Sequence, residues 1–101
     1  MNYEVVISPQ AENDILELIQ YLTPVAGEKV AKAYVDRLID YCLSFRVFPQ
    51  RGTASDRARG LRTVGYRRKA TIAFRINGNV ITIARILHRG RDLRLDDADI
   101  A

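Results

Sequence analysis

Apolar positions change their period along this chain, and each change marks an element. Tyr3, Val5 and Ile7 share one face of a short strand by the period-two rule. Ser8-Pro9 then reads as a helix start, with Ser8 as N-cap and Pro9 at the first helical position, where its missing N–H costs nothing. Ala11, Ile15, Leu18, Ile19 and Leu22 form one apolar stripe, and Glu12 and Asp14 lie favourably against the helix dipole. Thr23-Pro24 is predicted to end this helix. Gly27 opens a second helix with the stripe Ala31, Tyr34, Val35, Leu38, Ile39, Cys42, Leu43 and Phe45, closed by Phe48-Pro49. The short link predicts an antiparallel hairpin. Residues 50–60 are polar, contain two glycines and read as a loop.

The period then returns to two. Leu61–Val64 is a weak strand and Lys69–Ile76 a stronger one. Asn77-Gly78 signals a type I′ turn, and Val80–His88 returns. A turn centred there sets Phe74 opposite Ile81 and Ile72 opposite Ile83, on the face that meets the helices. Lys69, Thr71, Ala73 and Arg75 fall on the other face with Thr82 and Ala84, a small, polar, cationic surface open to solvent or a partner. Arg85 lands on the apolar face, which requires either a bulge or a carboxylate such as Asp36 or Asp40. The predicted order is β-α-α-β-β-β: an α+β fold with an antiparallel sheet packed on a two-helix hairpin. Residues 1–101 make one domain, with an acidic, loosely held tail from about residue 94.

Charge divides the chain in two. Residues 1–50 carry four Lys/Arg against seven Asp/Glu, and residues 51–101 carry twelve against five. The second half presents a cationic surface to an anionic partner. Other features exclude whole classes. No apolar run approaches a membrane span, and Met1–Ile7 lacks the basic region and apolar core of a signal peptide. The single Cys42 forbids an internal disulfide, and one Cys with one His cannot build a structural zinc site. A cytoplasmic protein without metal or cofactor is expected.

Candidate chemistry concentrates at the end of the last strand, where Ala84-Arg-Ile-Leu-His88 runs into Arg89, Arg91, Asp92 and Arg94. His88 is the chain's one imidazole, a group type suited to acid–base work, and its plainer reading is a hydrogen-bonded strand end. Arg62, Arg67, Arg68 and Lys69 form a charge run that suits phosphate or carboxylate contacts, or simply a solvated turn. Asp92 reads as a partner for an arginine. Tyr66, beside Arg67 and Arg68, is the one aromatic in a setting that nucleic acid favours, and its plainer reading is a turn residue.

Taken in order, these pieces resemble the RelE/ParE toxin superfamily of type II toxin–antitoxin modules. The resemblance runs through Ser8-Pro9-x-Ala11-x-x-Asp14-Ile15, Leu18-x-x-Tyr21, Phe48-Pro49-x-x-Gly52, Gly60-Leu61-Arg62, Arg85-Ile-Leu-His88 and Arg91-Asp92-Leu93. It implies the β-α-α-β-β-β fold. The RelE-like branch contains metal-independent, ribosome-dependent mRNA endonucleases. They place a basic residue in the strand before the hairpin and often a tyrosine after the last strand. Here those positions fall on Thr71 and near Leu95, leaving His88, Arg89 and Arg91 as the catalytic candidates of that alternative. The ParE-like branch is the better match. It implies a DNA gyrase poison without chemistry of its own, neutralised by a ParD-like antitoxin. Arg62, Arg67, Arg68, Lys69, Arg75, Arg89, Arg91 and Arg94 would then contact the target.

Overall fold

The computed structural model describes residues 3–55, 59–67 and 69–88. Strand β1 (Glu4–Ile7) leads directly into helix α1 (Pro9–Ala26), and one residue, Gly27, separates it from helix α2 (Glu28–Leu43). A 3-10 turn (Ser44–Arg46) follows. The remaining strands are β2 (Thr53–Ala54), β3 (Leu61–Tyr66), β4 (Ala70–Asn77) and β5 (Val80–His88), in a five-stranded sheet of order β1-β5-β4-β3-β2.

The α+β class and the helical hairpin are as expected, but the sheet is mixed. β1 runs parallel to β5, from Glu4 opposite Val80 to Ile7 opposite Ile83. Parallel neighbours need a long crossover, and everything between the two strands supplies it. Period-two patterning marks a strand without naming its partner. Residues 50–60 are likewise more than a loop, because Thr53 and Ala54 pair with Thr63 and Arg62 as an edge strand. Gly52 permits this close approach. Its φ is +63°, and a Cβ there would overlap the Thr63 carbonyl oxygen.

Helix α1 also runs past Thr23-Pro24. Pro24 forfeits only its own bond to Gln20, an exposed residue, while Gly27 N–H still reaches the Thr23 carbonyl (2.9 Å) and Thr23 Oγ1 donates to Ile19 O (2.7 Å). The second helix stops at Leu43, so Phe45 enters the core from the 3-10 turn. The hairpin turn is Gly78-Asn79, not Asn77-Gly78, and the register moves by two: Phe74 faces Ile83 and Ile76 faces Ile81. A shift of two preserves the faces, so the predicted apolar side survives.

Ala11, Leu18, Val35, Leu38, Cys42 and Phe45 pack on Ile72, Phe74, Ile81, Ile83 and Ile86 to form the core. Tyr66 belongs to it too. It is buried against Tyr34 and Tyr41 (ring centroids 5.7 and 5.1 Å), which ends its reading as an exposed base-stacking or turn residue. The far face of the sheet is not open either. Leu61, Ala73 and Ala84 form a second buried cluster there, and Arg75 is half-buried beside them.

Two measurements follow from this packing. Gly52→Ala should cost about 2–3 kcal/mol in urea denaturation, through backbone strain and a forced shift of β2 against β3. Burial pushes the Cys42 thiol from its ordinary 9.0 up to about 12. Its contribution to stability is therefore intact below pH 9.0 and lost as pH rises through about 12, because the unfolded chain ionises first. Iodoacetamide should label Cys42 at pH 8 at least about 100-fold more slowly in the native chain than in urea.

Candidate functional site

The last strand is shaped by what meets its edge beyond β1. Ser8 N–H donates to the Ile83 carbonyl (3.0 Å), ending the parallel ladder. The Ser8 hydroxyl then serves two elements: it accepts from Ala11 N–H as the N-cap of α1 (3.0 Å) and donates to the Ala84 carbonyl (2.9 Å). Ala84 is a bulge residue, since Ala73 faces Arg85 while Phe74 faces Ile83. One turn and a half further along α1, the Asp14 carboxylate accepts from the Ile86 backbone N–H (2.9 Å). It also takes a two-pronged contact from Arg85, Nε to Oδ2 at 2.8 Å and Nη2 to Oδ1 at 3.1 Å.

This resolves the position of Arg85. A bulge does intervene, and a carboxylate does reach it, but that carboxylate is Asp14 rather than Asp36 or Asp40. Asp36 instead pairs with Lys32 on the exposed face of α2 (3.0 Å). Asp14 is more than a favourable charge near a helix N-terminus. Its position with Ala11 and Leu18 on the buried stripe was the available signal, a carboxylate where the pattern asks for an apolar residue.

Beyond the bulge, Ile86 faces Ile72 and His88 faces Ala70, both core residues on the helix side. The His88 imidazole stacks on the Tyr21 ring at 4.7 Å and 17°. Together they line a cleft of about 200 Å³ whose other walls are Leu18, Leu22, Val25, Tyr34 and Lys69. Lys69 Nζ lies 5.8 Å from the Tyr34 ring centroid. Burial, then the neighbouring Tyr66, raises the Tyr34 pKa above its usual 10.0, so the phenol remains an O–H donor. That hydroxyl is withdrawn from solvent and has no hydrogen-bond partner among the described residues. The cleft was not legible as a site, because Tyr21 and Tyr34 read as ordinary helix positions.

The predicted cationic surface is divided rather than assembled. Lys69 sits in the β3–β4 turn on the cleft, not on the far face with Thr71 and Arg75. Arg67 occupies the same turn at φ 50°, with its guanidinium 5.5 Å from the Tyr66 ring. Arg62 donates from Nε to the Arg51 carbonyl (3.1 Å) and from Nη2 to the Gly52 carbonyl (3.2 Å), and so braces the chain entering β2. Arg75 and Thr71 remain on the face away from the helices, opposite to His88. Arg68, Arg89, Arg91 and Arg94, with Asp92, Leu95 and the acidic tail, lie outside the described residues. Among the described residues no three His, Cys, Asp or Glu side chains gather as metal ligands, and no helix is long and apolar enough to cross a membrane.

Comparison with known proteins agrees with the fold. The family described as the ParE toxin of the type II toxin–antitoxin system, parDE, matches residues 5–93. The chromosomal ParDE toxin–antitoxin system of P. aeruginosa superposes with a TM-score of 0.75 at 20% identity, covering 85% of this chain and 95% of that one. The toxin–antitoxin complex RelBE2 of Mycobacterium tuberculosis superposes with a TM-score of 0.64 at 16% identity, covering 88% of this chain and 100% of that one. No curated protein matches by sequence.

The contacts around Asp14 set a clear expectation. The Asp14 and Arg85 side chains are only 2% and 15% exposed. Asp14→Ala should therefore lower unfolding free energy by about 3–5 kcal/mol, because it removes the buried carboxylate of the ion pair and leaves the Ile86 N–H without its acceptor. Asp14→Asn, which keeps an acceptor for Ile86, should cost measurably less in the same chemical denaturation series.

Proposed function

This chain belongs to the ParE toxin family of type II toxin–antitoxin systems, and we propose that its free form poisons DNA gyrase and is silenced by a ParD-like antitoxin. The observation that carries the choice of target is the placement of His88. Its imidazole is stacked on Tyr21 against an apolar cleft, whereas Thr71 and Arg75 stand on the other face of the sheet. An endonuclease needs its general acid, its base and its phosphate-stabilising cations around one scissile bond. Of the endonuclease candidates His88, Arg89 and Arg91, only His88 lies among the described residues; Thr71 offers no charge beside it, and Arg75 stands on the other face. A poison needs no such convergence; it needs a surface that grips a protein–DNA complex. The excess of twelve basic over five acidic residues in the second half supports contact with an anionic target of that kind.

The antitoxin reading draws on the same charge asymmetry. An acidic and apolar partner segment would neutralise the basic half while covering exposed apolar side chains such as Leu16, Tyr21, Val25 and Val30 on the helices.

Purified antitoxin-free chain, mixed with gyrase, ATP and supercoiled plasmid and stopped with detergent and protease, is expected to yield linear DNA in proportion to dose and only with gyrase present. His88→Ala should change that yield by less than about tenfold, whereas loss of an acid or base would cost about 100-fold. Absence of linear DNA from folded protein, with cleavage of ribosome-bound mRNA instead, would replace this reading by the endonuclease one.

A further inference from the structure

Antiparallel strands that pack on helices commonly leave their other face to water, with polar residues on it. Here that face is partly apolar and closed. Leu87 stands opposite Thr71, and Leu61 opposite Arg75, so both point away from the helices, as Ala73 does. Leu87, Leu61 and Ala73 are 3%, 1% and 0% exposed. Arg75 is half-buried among them, and its Nη2 is withdrawn from water altogether. Among the described residues, both helices and the 3-10 turn pack on the opposite face, against Ile72, Phe74 and Ile83. Threonines alone do not hide leucines and a guanidinium nitrogen; a layer above them does.

Length and charge single out one segment for that layer. Thirteen residues follow His88. Extended, they reach about 40 Å, whereas Arg75, opposite Thr82, lies about 20 Å back along β5 from His88. A chain that reverses near residue 90 and runs back across the sheet brings Leu93 and Leu95 over Ala73 and Ala84, then Asp96 and Asp97 to Arg75. The two alanines are small where a covering leucine needs depth. Four of the five acidic residues of the second half, Asp92, Asp96, Asp97 and Asp99, lie in this segment, while β3, β4 and β5 contain no carboxylate. The family match ends at Leu93, so most of the segment lies outside it.

We infer that residues 89–101 form a cover for the far face of the sheet, with Leu93 and Leu95 on the surface of Leu61, Ala73 and Leu87, and Asp96 or Asp97 paired to Arg75. The cover belongs to the same chain, so the carboxylate is held at high effective concentration beside its cation. Whatever the target of the chain, this has a consequence for its cationic half. Arg75 is shielded by the chain's own acid, and an anionic partner reaches that face only by displacing the tail. Arg67 and Lys69, exposed in the β3–β4 turn, stay open.

The test uses the full chain with Thr82→Cys, which puts a thiol on the far face opposite Arg75. Iodoacetamide labelling is read by mass spectrometry at each site, and the buried Cys42 serves as the internal measure of folding. With the native tail the new thiol should be labelled at least about tenfold more slowly than with Leu93→Ser and Leu95→Ser, while Cys42 stays protected in both. Asp96→Asn with Asp97→Asn should open the site part of the way, and no opening there would overturn the pairing with Arg75. Equal rates with native and serine-bearing tails, whether both fast or both slow, would overturn the cover itself, the slow case pointing to another layer such as a second copy. A second measurement leaves the tail's leucines and aspartates intact, and so decides the matter even if the serine variants unfold. A nitroxide on Ala98→Cys should broaden the NMR methyl signals of Thr63, Thr71 and Thr82 and spare those of Leu16 and Val30, exposed on the helices. Broadening of both sets alike, or of neither, would equally overturn the inference.

Discussion

A buried carboxylate does the work of a missing strand. β1 stops at Ile7, yet β5 continues for five residues beyond the partner of Ile7, and among the described residues no strand pairs with that stretch of edge on its β1 side. Buried backbone groups left unpaired are costly. The Ser8 hydroxyl covers one of them and the Asp14 carboxylate another, and Asp14 is itself neutralised by Arg85. The charge pair is therefore a by-product of the edge. A carboxylate serves as a strong acceptor for Ile86 N–H, and once buried it requires a cation beside it. Those contacts tie the first helix to the last strand and fix where His88 comes to rest.

From that anchor the two faces of the sheet acquire different characters. The helix side ends in an apolar cleft with one imidazole, one ammonium and two phenols. The far side buries Leu61, Ala73 and Ala84 between threonines and Arg75. The bulge at Ala84 is what separates them. It turns Arg85 out of the core pattern and towards Asp14, then returns Ile86 and His88 to the helix side. Bulges commonly re-aim side chains beside functional positions, and this one decides which basic groups can act together.

Much of this was legible in the residue pattern. The Ser8-Pro9 start, both helical stripes, the three long strands and the apolar face of the hairpin follow from spacing and turn chemistry alone. What escaped shares a physical cause: it depends on contacts between residues far apart in the chain. The parallel partner of β1, the pairing of Thr53 and Ala54, and the match of Arg85 with Asp14 rather than Asp40 are all non-local choices. Local propensity also misled at Pro24, because a proline in the last turn of an exposed helix costs only one bond. The cleft was hidden for a different reason. Its members are unremarkable on their own elements, and only the fold sets Tyr21 against His88 and Lys69 against Tyr34.

The parallel pairing of the first and last strands has a consequence for biosynthesis. Asp14 emerges early, but the amide and guanidinium that satisfy it are 72 and 71 residues away. Until β5 has been made, the nascent chain holds a first strand without its parallel partner and an Asp14 carboxylate without Arg85 or the Ile86 amide. Contacts of such long range close slowly, after the local ones have formed. The first strand therefore joins the sheet only after the last has been made, and any partner that recognises the finished surface must wait for it.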